Sequence, residues 1–249
     1  MTALANPRRS VRRADDARRV RDLLRSELTR GAYAGRRLPP EERLMEEFGV
    51  SRAAVREALA LLRAEGMIDR VQGIGTVDVH HKFVHDLPVF HGVAAPEPGS
   101  VFAGQMRISL LDWSEIALPA MAAEYLDAEA GDRCLRVDYV AYLDSSALGV
   151  ATNYLRWPEA GQLDRAAFRT DWYALLNAGG VTIAETTWLM EASLADAHDA
   201  ALLGIEAGAP VMVAEQVIYG PDGSAFDFAI ARSRGDRAAY FSRARRASL

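Results

Sequence analysis

Apolar residues recur at helical spacing in three stretches near the start of the chain and at strand spacing in most of the remainder. Val20, Leu23, Leu24 and Leu28 share one side of a helix expected over residues 15–30. Leu44 and Phe48 give a shorter segment its inward face, and Val55, Leu59 and Leu62 do the same for the segment after Ser51. The Ser51 hydroxyl is suited to accept from the free amides of that segment's first turn. Gly49 lies between the last two segments, where a left-handed residue bends a chain sharply, and Gly66 supplies a left-handed stop. Residues 67–71 and 76–79 then read as strands around Gln72-Gly73-Ile74-Gly75, a turn with two glycines. Residues 15–80 therefore predict a helix-turn-helix followed by a hairpin wing.

The pattern changes at residues 81–100, where Pro88, Gly92, Pro96, Pro98 and Gly99 interrupt any regular element and predict a linker. Strands are expected over 101–111, 134–143, 149–157, 181–191, 211–219 and 225–231. Helices are expected over 115–126, 171–177 and 194–203. The link Gly220-Pro221-Asp222-Gly223 is a turn with a mechanism, since proline presets one dihedral and glycine takes the positive one. Hairpins separated by helices favour an antiparallel sheet, so residues 101–245 read as an α+β domain.

Charge sharpens this division. The 249 residues carry a net charge of −5, which alone argues against nucleic acid. Residues 1–82, however, hold 17 basic and 12 acidic side chains, a net +5, and the rest hold 12 and 22, a net −10. Only the first region is thus suited to phosphate. Residues 1–14, rich in arginine, read as a disordered basic arm. They lack the apolar core of a secretory signal, and no apolar run is long enough for a membrane span. A single cysteine, Cys134, excludes an internal disulfide and any paired-cysteine zinc site. These features point to the cytoplasm. His80, His81, His85 and His91 crowd the linker without carboxylates at ligand spacing, so neither metal nor cofactor is expected.

Arg52 and Arg56 are four residues apart and share the outer face of the segment after Ser51. A short, capped, arginine-bearing helix after a tight turn suits the major groove, where a guanidinium fork can bond both acceptors of guanine. The alternative is an ordinary solvated helix face. The agreement of cap, bend, helix, stop and two-glycine hairpin favours DNA. The candidate DNA-contacting residues are Arg43, Ser51, Arg52, Ala54, Arg56, Gln72, Gly73 and Gly75.

The run from Leu38-Pro39 through Ser51-Arg52 and Val55-Arg56 to Gly73 and Gly75 resembles the GntR family of bacterial transcription regulators. The resemblance implies a homodimer on a short palindromic operator, with Arg52 and Arg56 reading bases and the wing tip in the minor groove. Two places depart from the family. Pro40-Glu41-Glu42 stands where Ser-Glu-Arg is usual, and Gly73-Ile74-Gly75 stands where Gly-Arg-Gly is common. Each replaces a positive charge.

The second region carries Ala207-Gly208-Ala209-Pro210-Val211, Tyr219-Gly220-Pro221-Asp222-Gly223 and Arg234-Gly235-Asp236-Arg237. In these it resembles the UTRA effector domain of the HutC branch, with a chorismate-lyase-like fold. The all-helical branch, which binds metal and carboxylic acids, does not accommodate the β-rich run over 133–157. The resemblance implies an effector on the sheet, met by an Arg-x-Arg pair, a glutamate and an acidic residue. Here those positions fall on Tyr139-Val140-Ala141, near Ala151 with Asn153 two residues on, and on Asp227. Without the arginines, a phosphosugar loses its bidentate clamp, and an uncharged or amphipathic ligand is expected. The candidate pocket residues are Tyr139, Asn153, Glu185, Thr187 and Asp227, with Tyr154 and Trp157 as further aromatics. The expectation is a repressor of transcription released by a small molecule. The alternative is an enzyme on a lyase-like fold, for which no nucleophile–base pair or phosphate loop stands out.

Overall fold

The computed structural model describes residues 7–33, 37–79, 82–86 and 106–242. His80, His81, His91, most of the expected linker and the start of the strand expected over 101–111 lie outside them. The chain forms two compact units, Met1–Val84 and His85–Leu249.

The first unit holds three helices, α1 (Pro7–Thr29), α2 (Glu41–Phe48) and α3 (Arg52–Ala64), and a hairpin of β1 (Ile68–Val71) and β2 (Gly75–Asp78). Helix α1 starts at Pro7 rather than at residue 15, so residues 7–14 are helical and not a disordered arm, and residues 1–6 of the expected arm lie outside the described residues. Proline is well placed in a first turn, where its missing amide would have no partner. Arg13 on this early stretch also reaches Glu57 of α3 at 3.2 Å. The buried stripe of α1 is Ala17, Val20, Leu24 and Leu28; Leu23 is 49% exposed and lies outside it. These residues pack on Leu44, Val55, Leu59 and Leu62 of α2 and α3. Arg21 and Arg25 both bind Glu65, at 2.9 and 2.7 Å, and tie α1 to the end of α3.

The bend between α2 and α3 is Gly49, with φ +62°, and its amide closes onto the Met45 carbonyl. The stop after α3 is Gly66, with φ +69°. In the wing, Val71 pairs with Gly75 and Ile68 with Asp78. A Cβ added at Gly75 would sit 2.9 Å from Arg37 Cδ, at a φ of +118°. That glycine therefore makes room for a side chain of the protein itself, and Arg37 Nη1 donates to the Ile74 carbonyl at 3.1 Å.

Strand β3 (Phe83–Asp86) falls at the division between the units. The second unit is built on one antiparallel sheet of β4 (Met106–Ala117), β5 (Arg133–Leu143), β6 (Ser146–Arg156), β7 (Glu185–Leu194), β8 (Pro210–Tyr219) and β9 (Ala225–Arg234), followed by β10 (Ala238–Phe241). The sheet order is β4-β5-β6-β9-β8-β7. Helix α4 (Ala120–Tyr125) links β4 to β5, α5 (Trp172–Ala178) lies between β6 and β7, and α6 (Ala197–Leu203) links β7 to β8. The α+β class is as expected.

Several boundaries differ. Residues 115–117, expected in a helix, continue β4, because Glu115 pairs with Leu135 in the ladder and its carboxylate accepts from Arg133 at 2.7 Å. Strand β7 begins at Glu185 instead of 181, with Val181 drawn into the core beneath α5. Helix α6 starts where Asp196 caps it, accepting from the Asp199 amide at 2.8 Å.

The two sheet faces are distinct. Helix α5 inserts Trp172, Tyr173, Leu175 and Leu176 against Leu135, Val137, Tyr139 and Leu155 on one face. Helix α4 packs with Cys134, Val217 and Phe228 on the other, and α6 covers Val140 and Val211 there. Burial pushes the Cys134 thiol up to about 11, so this cysteine behaves as a small apolar residue. No helix among the described residues is long and apolar enough to cross a membrane.

Candidate nucleic-acid interface and effector pocket

Helix α3 separates its residues cleanly by face. Val55, Ala58, Leu59 and Leu62 are buried, whereas the side chains of Arg52 and Arg56 are 50% and 65% exposed. Ser51 is the N-cap, with Oγ accepting from the Ala54 amide at 3.3 Å. Ala54 is fully buried, which removes it from the candidate contacts. Its neighbour Ala53 is exposed on the outer face of the helix. Arg43 and Gln72 are exposed, and Gly73 adopts φ +79° at the wing tip.

Arg52 and Arg56 each hold a carboxylate of α2. Arg52 Nη2 lies 2.9 Å from Glu42 Oε1, and Arg56 Nε lies 2.9 Å from Glu41 Oε2. Pro40 caps α2 without a side-chain hydrogen bond, so two acids in the first turn also answer its unpaired amides. Exposed pairs of this kind contribute about 0–1 kcal/mol, so the arginines are oriented without being locked. Beside them runs a groove between α3 and the wing, lined by Arg37, Arg56, Arg63 and Arg70 with Glu41. Arg37, Arg63 and Arg70 were not among the sequence candidates. Their shared signal is spatial: they come from a loop, the last turn of α3 and β1.

The second unit holds a cavity on the α5 face of the sheet, with about 750 Å³ of empty space when the open solvent at its mouth is included. Its floor is made of small residues at alternating positions of neighbouring strands, Ala141, Gly149, Ala151, Ala214, Ala229 and Ala231. The ladder sets them side by side: Ala151 faces Ala231, and Ala231 faces Ala214. Tyr139, Trp172, Tyr173, Trp188 and Tyr240 form aromatic walls. Tyr139 stacks on Trp172 at 6.2 Å, and Phe168 meets Tyr139 edge-on at 4.8 Å.

Behind the lining, and wholly buried, lies Asp227. Its oxygens accept from Asn153 Nδ2 at 3.1 and 2.9 Å and from Trp172 Nε1 at 2.6 Å. Burial pushes its carboxyl up to about 7, although the Trp172 and Asn153 hydrogen bonds pull it down. Gln216 Nε2 donates to the Tyr173 hydroxyl, whose acidity burial lowers strongly.

Of the five expected pocket residues, Tyr139 and Asn153 line the cavity, and Asp227 lies behind its wall, bonded to Asn153 and Trp172. Glu185 and Thr187 are exposed and do not line the cavity. The cause is parity. Thr187 is opposite Val217, on the far face, whereas Trp188 is opposite Gln216, on the cavity face. Tyr154 stacks toward Phe228 on the far face, and Arg133 covers the Trp157 ring at 3.9 Å, so neither lines the cavity. Gln216 carried a readable signal, as a polar residue inside an apolar strand. Trp172, Trp188 and Tyr240 carried none.

A helix-turn-helix with a hairpin wing, and an α+β domain with an aromatic cavity above a buried carboxylate, together define a DNA-binding regulator with its own ligand-binding domain. Residues 16–77 match the gntR family of bacterial regulatory proteins, and residues 103–239 match the UTRA domain. The chain belongs to the GntR family, in its UTRA-bearing branch. It is 29% identical to the HTH-type transcriptional repressor PhnF of Mycolicibacterium smegmatis over 221 residues, 86% of this chain and 88% of the relative. It is 27% identical to the histidine utilization repressor of Pseudomonas aeruginosa, covering 78% of each chain. The crystal structure of PhnF from Mycobacterium smegmatis superposes with a TM-score of 0.61 at 25% identity, covering 91% of this chain and 99% of that one. These relatives are regulators, and the enzyme alternative finds no support among them.

Proposed function

We propose that this protein is a cytoplasmic repressor of transcription that binds a short palindromic operator as a homodimer and is released by a small molecule held in the sheet cavity. The observation that carries it is the pair Arg52 and Arg56, exposed on a capped helix beside a groove of further arginines. In the DNA complex their guanidinium groups leave Glu42 and Glu41 for base edges. Arg37, Arg63 and Arg70 meet the sugar-phosphate backbone, with the Gln72-Gly73 tip in the adjacent groove. Two such helices about one DNA turn apart, roughly 34 Å, would read the two half-sites.

The effector is not a phosphosugar, since none of the described residues lining the cavity is basic. Its binding favours a dimer whose half-site spacing does not fit, by no more than its difference in affinity for the two states. The test is footprinting on the DNA upstream of the chain's own gene across a salt series. A protected palindrome whose affinity falls steeply with salt is expected. No footprint, or a flat salt response, removes the proposal.

A further inference from the structure

The cavity is acidic as well as aromatic. Asp227 is buried beneath it, and Asp171 lines its side while capping α5, accepting from the Ala174 amide at 2.8 Å. No arginine, lysine or histidine stands among the described residues of the lining, and the three hydrogen bonds to Asp227 come from neutral donors. When ionised, a carboxylate buried without a cation carries an uncompensated charge, and a cation brought close favours that ionised form.

A second observation comes from Asn153, which lines the cavity and is only 1% exposed. Its Nδ2 is engaged by both oxygens of Asp227, and its Oδ1 has no hydrogen-bond partner among the described residues. Exchanging the two amide atoms would set an oxygen against the carboxylate, so the free atom is an acceptor. A buried acceptor without a donor costs about 1–3 kcal/mol, which a ligand bearing N–H would recover. Rings of Tyr139, Trp172 and Trp188 line the same cavity, and aromatic faces attract organic cations.

Resting on the reading of this cavity as the effector site, we propose that the effector is an organic cation: a small, mostly apolar molecule bearing a protonated amine. The ammonium donates to Asn153 Oδ1 and is balanced by the charge of Asp227 behind it. The apolar body lies on the alanine floor between the aromatic walls.

The test uses the full-length protein and three probes of matched size: phenethylamine, phenethyl alcohol and phenylacetate. Binding is read by thermal shift and by quenching of tryptophan fluorescence. The amine is expected to bind at least about ten-fold more tightly than the alcohol, and the acid not to bind, because only the amine makes a charge-assisted bond. Asp227→Asn should abolish the preference for amine over alcohol. The ranking in the unaltered protein decides the matter even if that variant fails to fold. Equal or tighter binding of the alcohol or the acid overturns the cation assignment, as does a lack of any response to the amine. Ala229→Phe, which fills the floor, separates the two ideas. If it abolishes binding of an alcohol or acid that outranks the amine, the cavity reading survives and the cation assignment falls. If the amine binds the filled variant undiminished, both fall.

Discussion

Arg52 and Arg56 hold their carboxylate partners in water, whereas Asp227 holds its two donors, Asn153 and Trp172, out of it. The distances are alike, 2.9 Å for each arginine pair and 2.6–3.1 Å around Asp227. The consequences are opposite. In the DNA-binding unit solvent screens each charge, so partners can be exchanged at small cost and a phosphate or guanine can replace a glutamate. In the effector domain the carboxyl has lost its water, so its protonation is moved and any partner it gains is held in a low-dielectric site. One surface is arranged for exchange, the other for retention.

The sharpest way to break this comparison is the pH dependence of stability. The folded carboxyl of Asp227 lies near 7, above its ordinary 3.8, so the folded state binds the proton more tightly. Its contribution is therefore fully present below about pH 4 and is lost as pH rises through 7. The whole window represents on the order of 4 kcal/mol. Thermal melts should show Asp227→Asn gaining on the unaltered protein between pH 5 and 8. Parallel melting curves across that range would place Asp227 in contact with solvent.

Next in size are the arginines. Arg52→Ala and Arg56→Ala should each cost roughly 1–3 kcal/mol of specific DNA binding and relax base preference, as measured by competition between operator variants. Unchanged discrimination would show that α3 does not enter the groove. At the buried neighbour, Ala54→Leu should lower unfolding free energy by about 1–3 kcal/mol through overpacking, whereas Ala53→Leu should leave it nearly unchanged. Denaturant melts of the two variants check the facing of the helix directly.

The smallest expected effect is at Glu42. Glu42→Gln removes one competitor for Arg52 and a repulsion toward phosphate, and should tighten DNA binding by about 1 kcal/mol or less. Weaker binding with altered sequence preference would instead make Glu42 a reader of the operator, accepting from a base amine.

The first unit was largely legible in the sequence because its signals are local. Ser51, Gly49 and Gly66 act on the turns they occupy, and Val55, Leu59 and Leu62 mark a face by spacing alone. The start of α1 was missed because propensity and a long-range pair, Arg13 with Glu57, extend it past the last apolar residue. Ala54 was misjudged by one position, which on a helix is the difference between core and groove.

The cavity was legible only in part. Tyr139, Asn153 and Asp227 were reached through family positions, while Glu185 and Thr187 were placed on the wrong face by one residue of strand parity. Trp172 belongs to a helix, Trp188 to an edge strand and Tyr240 to the last strand, and their meeting has no trace in local pattern.

Order along the chain, the capped arginine helix, the wing and the antiparallel α+β class follow from the sequence, because periodicity and turn chemistry act over a few residues. The tertiary structure alone decided which strand faces meet α5, that small side chains from four strands leave a hollow there, and that Asp227 lies under it without a cation among the described residues. Burial and pairing are sums over distant segments, so no local stretch of sequence contains them.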